Sequence, residues 1–480
     1  MATQRPGHRV ALIVTVSQCD QKMSKAVHLN DLPYQRDSCD LFERIQDLPG
    51  AALLDSSFPF STAGRYDILT AAPTDQIPTP PRGCSEAAAR TFFDDLGRYH
   101  RDHYAGIKPV SQDIPFSGGI LGYIDYGCGN SLHGIAGAAV PESGPDAPPL
   151  VQLQVYDWCV IQDHLLRRAT LVTLPQVTEA QRNELLLRLR QASQCNIAPF
   201  RLKQEFTSNF TSAAYEAAFE RIAAYIQAGD CYQVNLAQRF SAAYEGDAWL
   251  AYRALRAVAA SAFAAYLALP GDGAIISLSP ERFLSLHGHH IETAPIKGTR
   301  PRHADPTADR QAVRELRASE KDRAENLMIV DLLRNDLGRS CVPGSIHIDR
   351  LFEVQSLATV HHLVSTISGE LRADRGAAEL LRDSFPGGSI TGAPKRRAME
   401  IIAELEPDPR RVYCGSILYI SADGRMDSNI AIRTLLCSNK QIHCWAGGGI
   451  VADSQWQQEY QETFDKVGPF LRALEQLGQD

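Results

Sequence analysis

Four acidic residues occur in two pairs at a spacing that brings side chains together on a helix. Asp322 and Glu325 are three residues apart, and the same spacing separates Glu459 from Glu462 near the end of the chain. On a helix each pair would lie on one face. Carboxylates beside a buried surface lose hydration energy unless they are paired or bind a cation, so two such helices facing each other would suit a hard divalent cation. The alternative is a set of solvated carboxylates with an ion pair between Glu462 and Lys466, because acidic side chains are mostly exposed.

A lysine that could act as a nucleophile lies at the end of an apolar run. In residues 294–302 (APIKGTRPR), Lys297 follows a predicted strand and precedes a glycine and two arginines. Desolvation favours the neutral, nucleophilic form of an amine. Upstream, residues 279–283 (SPERF) offer Glu281 as a general acid. On residue type alone, a surface-loop lysine and a structural surface turn are the alternatives.

Residues 385–395 (FPGGSITGAPK) form a glycine-rich stretch that leads into a predicted helix. Pro394 suits the first helical position, and the free backbone N–H groups of such an end can hold a carboxylate or a phosphate. A plain loop-to-helix turn fits the spacing at least as well. Neither the GxxxxGK[ST] order nor the GxGxxG order is present, which excludes a nucleotide loop of those types.

Periodicity predicts the elements that would position these residues. An amphipathic helix is indicated between Thr211 and Gly229, because Tyr215, Phe219 and Ile222 recur at helical spacing. Strands and helices alternate irregularly without a repeat, which predicts an α+β fold. Further predictions are a long helix over about 309–337, a C-terminal helix over about 454–477, strands at 274–278, 289–295 and 415–420, and a closely packed strand at 116–123. A loop is predicted at 137–149, and a second candidate joint between the two halves of the chain at 197–204.

Composition and charge narrow the class of protein. The 480 residues include 48 Lys plus Arg and 56 Asp plus Glu, and the net charge of -8 argues against a nucleic-acid binder. A 44% hydrophobic and 22% charged composition is that of a globular protein. The longest nearly apolar run, residues 257–269, is shorter than the roughly 20 residues that span a bilayer, and no cleavage site follows the apolar residues 10–16. The eleven cysteines form no CxxC pair, so we expect reduced thiols in a cytoplasmic protein without a membrane segment.

Five motifs occur in the order in which they stand in the chorismate-utilising enzymes, and the chain resembles that family. They are SPERF (279–283), PIKGTRP (295–301), DRAENLMIVDLLRNDL (322–337), HLVS (362–365) and PGGSITGAPK (386–395). The resemblance covers about residues 206–477 and implies the family's fold, two large antiparallel β-sheets packed as a sandwich with helices outside. It also suggests an amino-terminal subdomain at 1–200 and a chorismate-binding catalytic domain at 201–480. Residues 32–34 and 64–68 are similar to the amino-terminal part of the aminodeoxychorismate synthase branch, component I.

Two positions carry the assignment to a branch of the family. Members that make anthranilate or isochorismate generally have alanine where this chain has Lys297, whereas the aminodeoxychorismate branch has lysine. Isochorismate and salicylate synthases use a lysine to activate water where this chain has Gln233, and glutamine cannot accept a proton. The resemblance thus implies conversion of chorismate and ammonia to 4-amino-4-deoxychorismate, a step towards p-aminobenzoate and folate. Anthranilate synthase component I is the nearest alternative, and an inactive scaffold that docks a glutaminase is a third.

The resemblance also implies a role for each matched residue. Mg²⁺ would be bound by Glu325 and Glu462, with Asp322 and Glu459 supporting it through water. Lys297 would add at C2 of chorismate while Glu281 protonates the departing C4 hydroxyl, and ammonia would then attack C4 and displace the lysine. The other implied substrate contacts are His362, Thr391, Gly392, Ala393, Tyr413, Arg433, Gly447, Gly449 and Lys466.

The ammonia is expected to come from a separate glutamine amidotransferase subunit. Such an enzyme needs a Gly-x-Cys-x-Gly turn and a His-x-Glu pair, but residues 126–129 (YGCG) lack the first glycine. The His290-Ile291-Glu292 sequence matches the pair but precedes Lys297 on a predicted strand, with no nucleophile to serve. Residues 53–57 (LLDSS) depart from the glutamate-bearing motif that anthranilate synthases have in a tryptophan-sensing pocket.

Overall fold

The computed structural model describes residues 26–61, 64–136, 148–192, 197–357 and 360–477. The apolar residues 10–16 and most of the predicted loop at 137–149 lie outside the described residues. The helices are α1 (Ser38–Phe42), α2 (Glu86–His103), α3 (Tyr126–Leu132), α4 (Glu179–Arg190), α5 (Ser212–Gln227), α6 (Ala248–Val258), α7 (Pro306–Ala318), α8 (Glu320–Gly338), α9 (Ala377–Ser384), α10 (Lys395–Leu405) and α11 (Trp456–Gln476), with a 3₁₀ turn at Gly388–Ile390.

The strands, in chain order, are β1 (His28–Leu32), β2 (Ala52–Asp55), β3 (Tyr66–Thr70), β4 (Asp75–Gln76), β5 (Gly119–Ile124), β6 (Val151–Tyr156), β7 (Trp158–Asp163), β8 (Arg168–Thr173), β9 (Arg201–Leu202), β10 (Thr207–Ser208), β11 (Gln233–Glu245), β12 (Phe263–Leu269), β13 (Gly273–Ser279), β14 (Arg282–His287), β15 (His290–Ala294), β16 (Ile296–Pro301), β17 (His347–Ser356), β18 (Val360–Glu370), β19 (Gly392–Ala393), β20 (Ser416–Ser421), β21 (Met426–Asn429), β22 (Thr434–Ser438) and β23 (Gln441–Ile450). Strands β13, β15 and β20 match the strands predicted at 274–278, 289–295 and 415–420 to within one residue at each end.

Within the described residues the strands form two antiparallel sheets. The large sheet has thirteen strands in the order β1-β8-β7-β3-β2-β12-β13-β22-β23-β11-β10, with β19 and β9 also paired to β11. The second sheet has ten strands in the order β16-β18-β15-β14-β21-β20-β5-β6-β4, with β17 also paired to β18. Apolar side chains of both sheets share one buried cluster, and a second cluster lies between the large sheet and α1, α6 and α11. The predicted α+β sandwich is confirmed.

The predicted single helix over 309–337 is wrong, because Ser319 divides it into α7 and α8. Ser319 has an extended backbone conformation, and its hydroxyl accepts the Asp322 N–H at 3.2 Å as the N-cap of α8. Serine favours this capping position because its side chain competes for backbone hydrogen bonds. The break places Asp322 in the first turn of a new helix.

The other predicted elements have the expected positions. Helix α5 begins after the capping Thr211, and the C-terminal helix occupies Trp456–Gln476. The close backbone packing predicted at 116–123 is present on β5, where a Cβ at Gly122 would lie 1.8 Å from the carbonyl oxygen of Gln152. In the predicted joint at 197–204, β9 pairs with the end of β11. None of the described helices is both long and apolar enough to cross a membrane.

Candidate active site

A β-bulge at the edge of the second sheet positions Lys297. Strand β16 pairs with β18 at Ile296 and again at Thr299, and the register shifts between them. Gly298, inside this bulge, has φ +83°, a conformation that glycine adopts without strain. A Cβ at Gly298 would lie 2.9 Å from Cγ of Asp322, so the glycine also lets β16 approach α8.

Lys297 points toward α8 and contacts one of the predicted metal ligands. Its Nζ donates a hydrogen bond to Oε1 of Glu325 at 2.7 Å. The Lys297 side chain is 12% exposed and that of Glu325 is 18% exposed, so the pair is largely shielded from solvent. The structure therefore brings together a predicted nucleophile and a predicted metal ligand that are 28 positions apart in sequence.

Glu281 lies in the turn between β13 and β14 and is buried. Its backbone N–H donates to the hydroxyl of Ser279 at 3.2 Å, which fixes the turn. Burial raises the pKa of the Glu281 carboxyl to about 7, although a hydrogen bond from Ser389, the charge of Lys297 and the N–H of Ile296 oppose the rise. A carboxyl group with this pKa holds a proton in a large fraction of molecules at neutral pH. It can therefore act as a general acid beside Lys297.

His362 and Arg433 form a second buried part of the site. Nδ1 of His362 bonds to the Thr299 hydroxyl at 2.9 Å, whereas its Nε2 has no hydrogen-bond partner among the described residues. Burial and the charge of Arg433 lower the pKa of His362 to about 3, so the ring is neutral. Burial also lowers the pKa of Arg433, whose guanidinium has no carboxylate partner in the described part of the chain. A desolvated cation without a counter-ion suits a ligand carboxylate, which arginine can bind with two hydrogen bonds.

The glycine-rich loop is fixed against β11. The Thr391 hydroxyl donates to the carbonyl oxygens of Gly387 and Gly388 at 3.2 and 3.3 Å. Gly392 and Ala393 form β19, and a Cβ at Gly392 would lie 2.1 Å from the carbonyl oxygen of Gln233. The loop backbone thus lies against the part of β11 that contains Gln233.

Helix α10 begins one residue later than predicted. Pro394 precedes the helix as its N-cap, and Lys395 is the first helical residue. The buried Lys395 ammonium donates to Asp336 at 2.7 Å and to the carbonyl oxygens of Ser384 and Pro386 at 2.8 and 2.7 Å. This lysine therefore anchors the loop to the C-terminal half of α8.

The glycines of β23 allow side chains of β11 and α11 to approach the sheet closely. Gly447 pairs with Ala237 and Gly449 with Asn235. A Cβ at Gly449 would lie 2.4 Å from Nε2 of Gln233, so a side chain at this position would displace the Gln233 amide. The carbonyl oxygen of Gly447 accepts a hydrogen bond from the Lys466 ammonium at 2.8 Å. Tyr413, predicted on the enolpyruvyl side, is buried and stacks on Trp445 with ring centroids 6.2 Å apart.

The two acidic residues of α11 have different environments. Glu459 is buried and accepts a hydrogen bond from Ser454 at 2.7 Å, and burial together with the charge of Glu462 raises its pKa. Burial acts to raise the pKa of Glu462 as well, but the ammonium of Lys466, 2.7 Å away, produces a net lowering. The charges of Lys297 and Lys321 also lower the pKa of Glu462, so α8, β16 and α11 converge here.

The donor chemistry at this convergence fits a hard divalent cation. Glu459 and Glu462 approach each other near Gly448, where an added Cβ would lie 2.8 and 3.8 Å from their carboxylate oxygens. Each predicted ligand has another partner here, since Glu325 binds Lys297 and Asp322 binds Arg300 at 2.9 Å. The described residues accordingly contain no group of three or more His, Cys, Asp or Glu at metal-binding separation. Carboxylate oxygens are the donor type that Mg²⁺ takes, and an Mg²⁺ site formed by these four residues stays a prediction.

Three contributors to the site were not predicted from the sequence. Ser389 hydrogen-bonds to Glu281, and Arg300 pairs with Asp322. Arg410 lies over the ring of Tyr413, 6.0 Å from its centroid. Ser389 lies in the motif PGGSITGAPK and Arg300 in the motif PIKGTRP, so membership of these motifs was an available signal.

A separate cavity of about 480 Å³ lies between the two sheets. Leu54 and Asp55 line it, so it adjoins the segment that departs from the tryptophan-sensing motif. None of the fifteen predicted site residues lines this cavity. The cavity is therefore distinct from the candidate active site.

Comparison with known proteins identifies the family. A family model described as chorismate binding enzyme matches residues 58–472. The chain belongs to this family of chorismate-binding enzymes. The family resemblance and the prediction of a chorismate-utilising enzyme are thereby confirmed.

Curated relatives and solved structures agree with this membership. The chain is 45% identical to aminodeoxychorismate synthase component 1 of Salmonella typhimurium over 92% of this chain and 97% of the relative. It is 44% identical to the protein of the same name from Escherichia coli, over 92% and 98% of the two chains. The crystal structure of anthranilate synthase component I from Streptococcus pneumoniae superimposes with a TM-score of 0.72 at 30% identity, covering 86% of this chain and 93% of that one. The roles of the individual site residues stay predictions.

Proposed function

We propose that this protein is the synthase component that converts chorismate and ammonia to 4-amino-4-deoxychorismate and water. The observation that carries the proposal is the position of Lys297, which is shielded from solvent, hydrogen-bonded to Glu325 and close enough to Glu281 for its charge to act on the pKa of that carboxyl. An alanine there would leave this part of the site without a nucleophile. The names of the relatives at 44% and 45% identity support the same reaction.

In the first step the amine nitrogen of Lys297 forms a bond to C2 of chorismate. The ring double bonds shift, the C4–O bond breaks, and Glu281 gives its proton to the departing hydroxyl, which leaves as water. The raised pKa of Glu281 suits this role, because the group is still partly protonated at pH 7. Because Glu281 is buried and Lys297 is largely shielded from solvent, bulk water would be kept away from the reacting carbons.

In the second step ammonia forms a bond to C4, and the bond between Lys297 and C2 breaks as the double bonds return. The new ammonium group then gives a proton to the Glu281 carboxylate, which restores the starting enzyme. Two successive displacements place the incoming nitrogen on the face from which the hydroxyl left. The enolpyruvyl group is retained throughout.

Other residues of the site would orient the substrate. Arg433 would pair with the enolpyruvyl carboxylate near Tyr413, and neutral His362 would offer its unpaired Nε2 to the ring substituents. The backbones of Thr391, Gly392, Ala393, Gly447 and Gly449 and the ammonium of Lys466 would complete the substrate contacts. Glu325 and Glu462 would hold Mg²⁺, with Asp322 and Glu459 supporting it through water. The bound cation would neutralise the ring carboxylate of chorismate.

We further propose that a separate glutamine amidotransferase supplies the ammonia. The relatives at 44% and 45% identity are named component 1, which is consistent with a second component. Cys128 is buried in α3, and burial raises the pKa of its thiol, which disfavours the thiolate that glutamine hydrolysis needs. We still expect no nucleic-acid partner, since the net charge is negative, and a cytoplasmic enzyme without a membrane partner, since the cysteines form no CxxC pair and the apolar runs are short.

Product analysis tests the proposed reaction. The purified protein with chorismate, Mg²⁺ and an ammonium salt should form a compound that an added 4-amino-4-deoxychorismate lyase converts to p-aminobenzoate. Direct formation of anthranilate would contradict the proposal and favour the anthranilate synthase alternative. Failure to consume chorismate under these conditions would favour the inactive scaffold.

A further inference from the structure

A buried ion pair joins the end of α10 to the candidate active site. Glu406 and Arg410 follow α10 and are 7% and 3% exposed. Nε and one terminal nitrogen of Arg410 donate to the two oxygens of Glu406 at 2.9 and 2.7 Å. Two parallel hydrogen bonds fix the orientation of the guanidinium group as well as its position.

This ion pair supplies hydrogen-bond partners to the backbone of β11 along one edge, as a neighbouring strand would. Short strands pair with β11 at residues 233–234 and 240–241, and among the described residues no strand pairs with the backbone between them on that edge. In this gap Glu406 accepts the N–H of Ala237 at 2.8 Å, and Arg410 donates to the carbonyl oxygen of Asn235 at 2.9 Å. Buried backbone groups need such partners.

Arg410 also contacts the other two parts of the site. Its remaining terminal nitrogen donates to the carbonyl oxygen of Ile390 at 2.8 Å, immediately before Thr391 in the glycine-rich loop. The guanidinium carbon lies 6.0 Å from the centroid of the Tyr413 ring and 4.8 Å from that of Tyr126. One side chain thus connects β11, the glycine-rich loop and the tyrosine predicted to lie at the enolpyruvyl group.

We propose that Arg410, oriented by Glu406, is a positioning residue that holds the glycine-rich loop against β11 and thereby shapes the chorismate site. The inference rests on the proposed function, because it assigns these segments to the binding of chorismate. Arg410 acts through Ile390, Asn235 and Tyr413, which the structure shows it to contact.

Replacing Arg410 with lysine keeps the positive charge but removes the planar guanidinium group, which donates several hydrogen bonds at once. The single nitrogen of lysine cannot reach all the acceptors that Arg410 meets with three separate nitrogens. A displacement of the loop by about 1 Å in an otherwise folded enzyme can lower catalytic efficiency about 100-fold. We therefore expect kcat/KM for chorismate consumption to fall about 10- to 100-fold in R410K.

The matched control is R256K in α6. Arg256 is also buried, donates to both oxygens of Asp55 and binds the carbonyl oxygen of Phe58, but it contacts none of the predicted site residues. We expect R256K to lose thermal stability while kcat/KM changes less than about threefold. Hydrogen exchange of the backbone amides at residues 389–393 should accelerate in R410K and stay unchanged in R256K.

The inference would be overturned if R410K retained wild-type kcat/KM and loop exchange, or if R256K lost as much kcat/KM as R410K. If R410K fails to fold, E406Q carries the same expectations, since it keeps the side-chain volume and an oxygen for Ala237 but loses the charge. Chorismate consumption and exchange do not depend on which product forms. If the product were anthranilate, the proposed function would be refuted. The comparison of R410K with R256K would still decide the role of Arg410.

Discussion

Replacement of Glu281 by glutamine should make the protein more stable at alkaline pH while it slows the reaction. Burial raises the pKa of Glu281 to about 7, compared with 4.5 for a free glutamate. The unfolded chain therefore releases this proton at a lower pH than the folded protein does. The stability of the wild type relative to the variant falls as the pH rises from about 4.5 to about 7 and then stays constant.

The size of this effect follows from the difference between the two pKa values. A shift of about 2.5 units corresponds to about 3 kcal/mol of unfolding free energy at pH 8 and to less than about 1 kcal/mol at pH 5. Glutamine has no charge to bury and can still accept the hydrogen bonds from Ser389 and Ile296. E281Q should thus exceed the wild type in stability by up to about 3 kcal/mol at pH 8.

Urea unfolding at pH 5 and pH 8, together with steady-state rates, provides the assay. E281Q should consume chorismate about 100- to 10,000-fold more slowly, because glutamine cannot protonate the leaving hydroxyl. The wild-type rate should decline above about pH 7, as the acid form of Glu281 disappears. E184Q, at an exposed position of α4, is the control and should change neither quantity.

Two results would refute this reasoning. One is equal stability of E281Q and the wild type at pH 8. This result would show that burial does not raise the pKa of the Glu281 carboxyl. The other is a fully active E281Q, which would show that Glu281 is not the proton donor.

Three further predictions concern the site. K297A should slow amination severely, and intact-mass analysis of the wild type with chorismate should detect an adduct that is absent in K297A. E325A should mainly weaken the Mg²⁺-dependent activity, because a lost ligand raises the Mg²⁺ concentration needed for half-maximal rate. G298A should destabilise the protein by at least about 1 kcal/mol more than G288A, because both glycines have positive φ but only at Gly298 would the new Cβ meet Asp322.

Each of these predictions has a contradicting outcome. An equally active K297A would eliminate the covalent step, and an unchanged Mg²⁺ requirement in E325A would eliminate Glu325 as a ligand. Equal destabilisation in G298A and G288A would show that the contact between β16 and α8 does not constrain the bulge. Gly288 is a suitable control because nothing lies within 4 Å of its added Cβ.

The sequence predicted the elements better than the contacts between them. The apolar repeat of α5 depends only on neighbouring residues, and its helix has the expected bounds. The division at Ser319 was not predicted, because the residue type alone does not show that this serine has the extended backbone conformation of an N-cap. The family motifs identified the fold, since five matches in order constrain the whole domain.

Pairings between distant residues could not be read from periodicity. The contact of Lys297 with Glu325 depends on the bulge at Gly298, and a bulge leaves no unique sequence pattern. The Glu406 and Arg410 pair has helical spacing and would be read as a surface pair, yet it is buried against β11. The partner of a buried charge is determined by how the sheets pack.

The pairing of β2 with β12 has a consequence for truncation. Ala52–Asp55 forms backbone hydrogen bonds along the edge of Phe263–Leu269, so a fragment that begins at residue 201 would lack this partner. Its sheet would end in an open, largely apolar strand, which promotes aggregation. The half of the chain that contains the catalytic motifs is thus expected to need the other half to remain monomeric in solution.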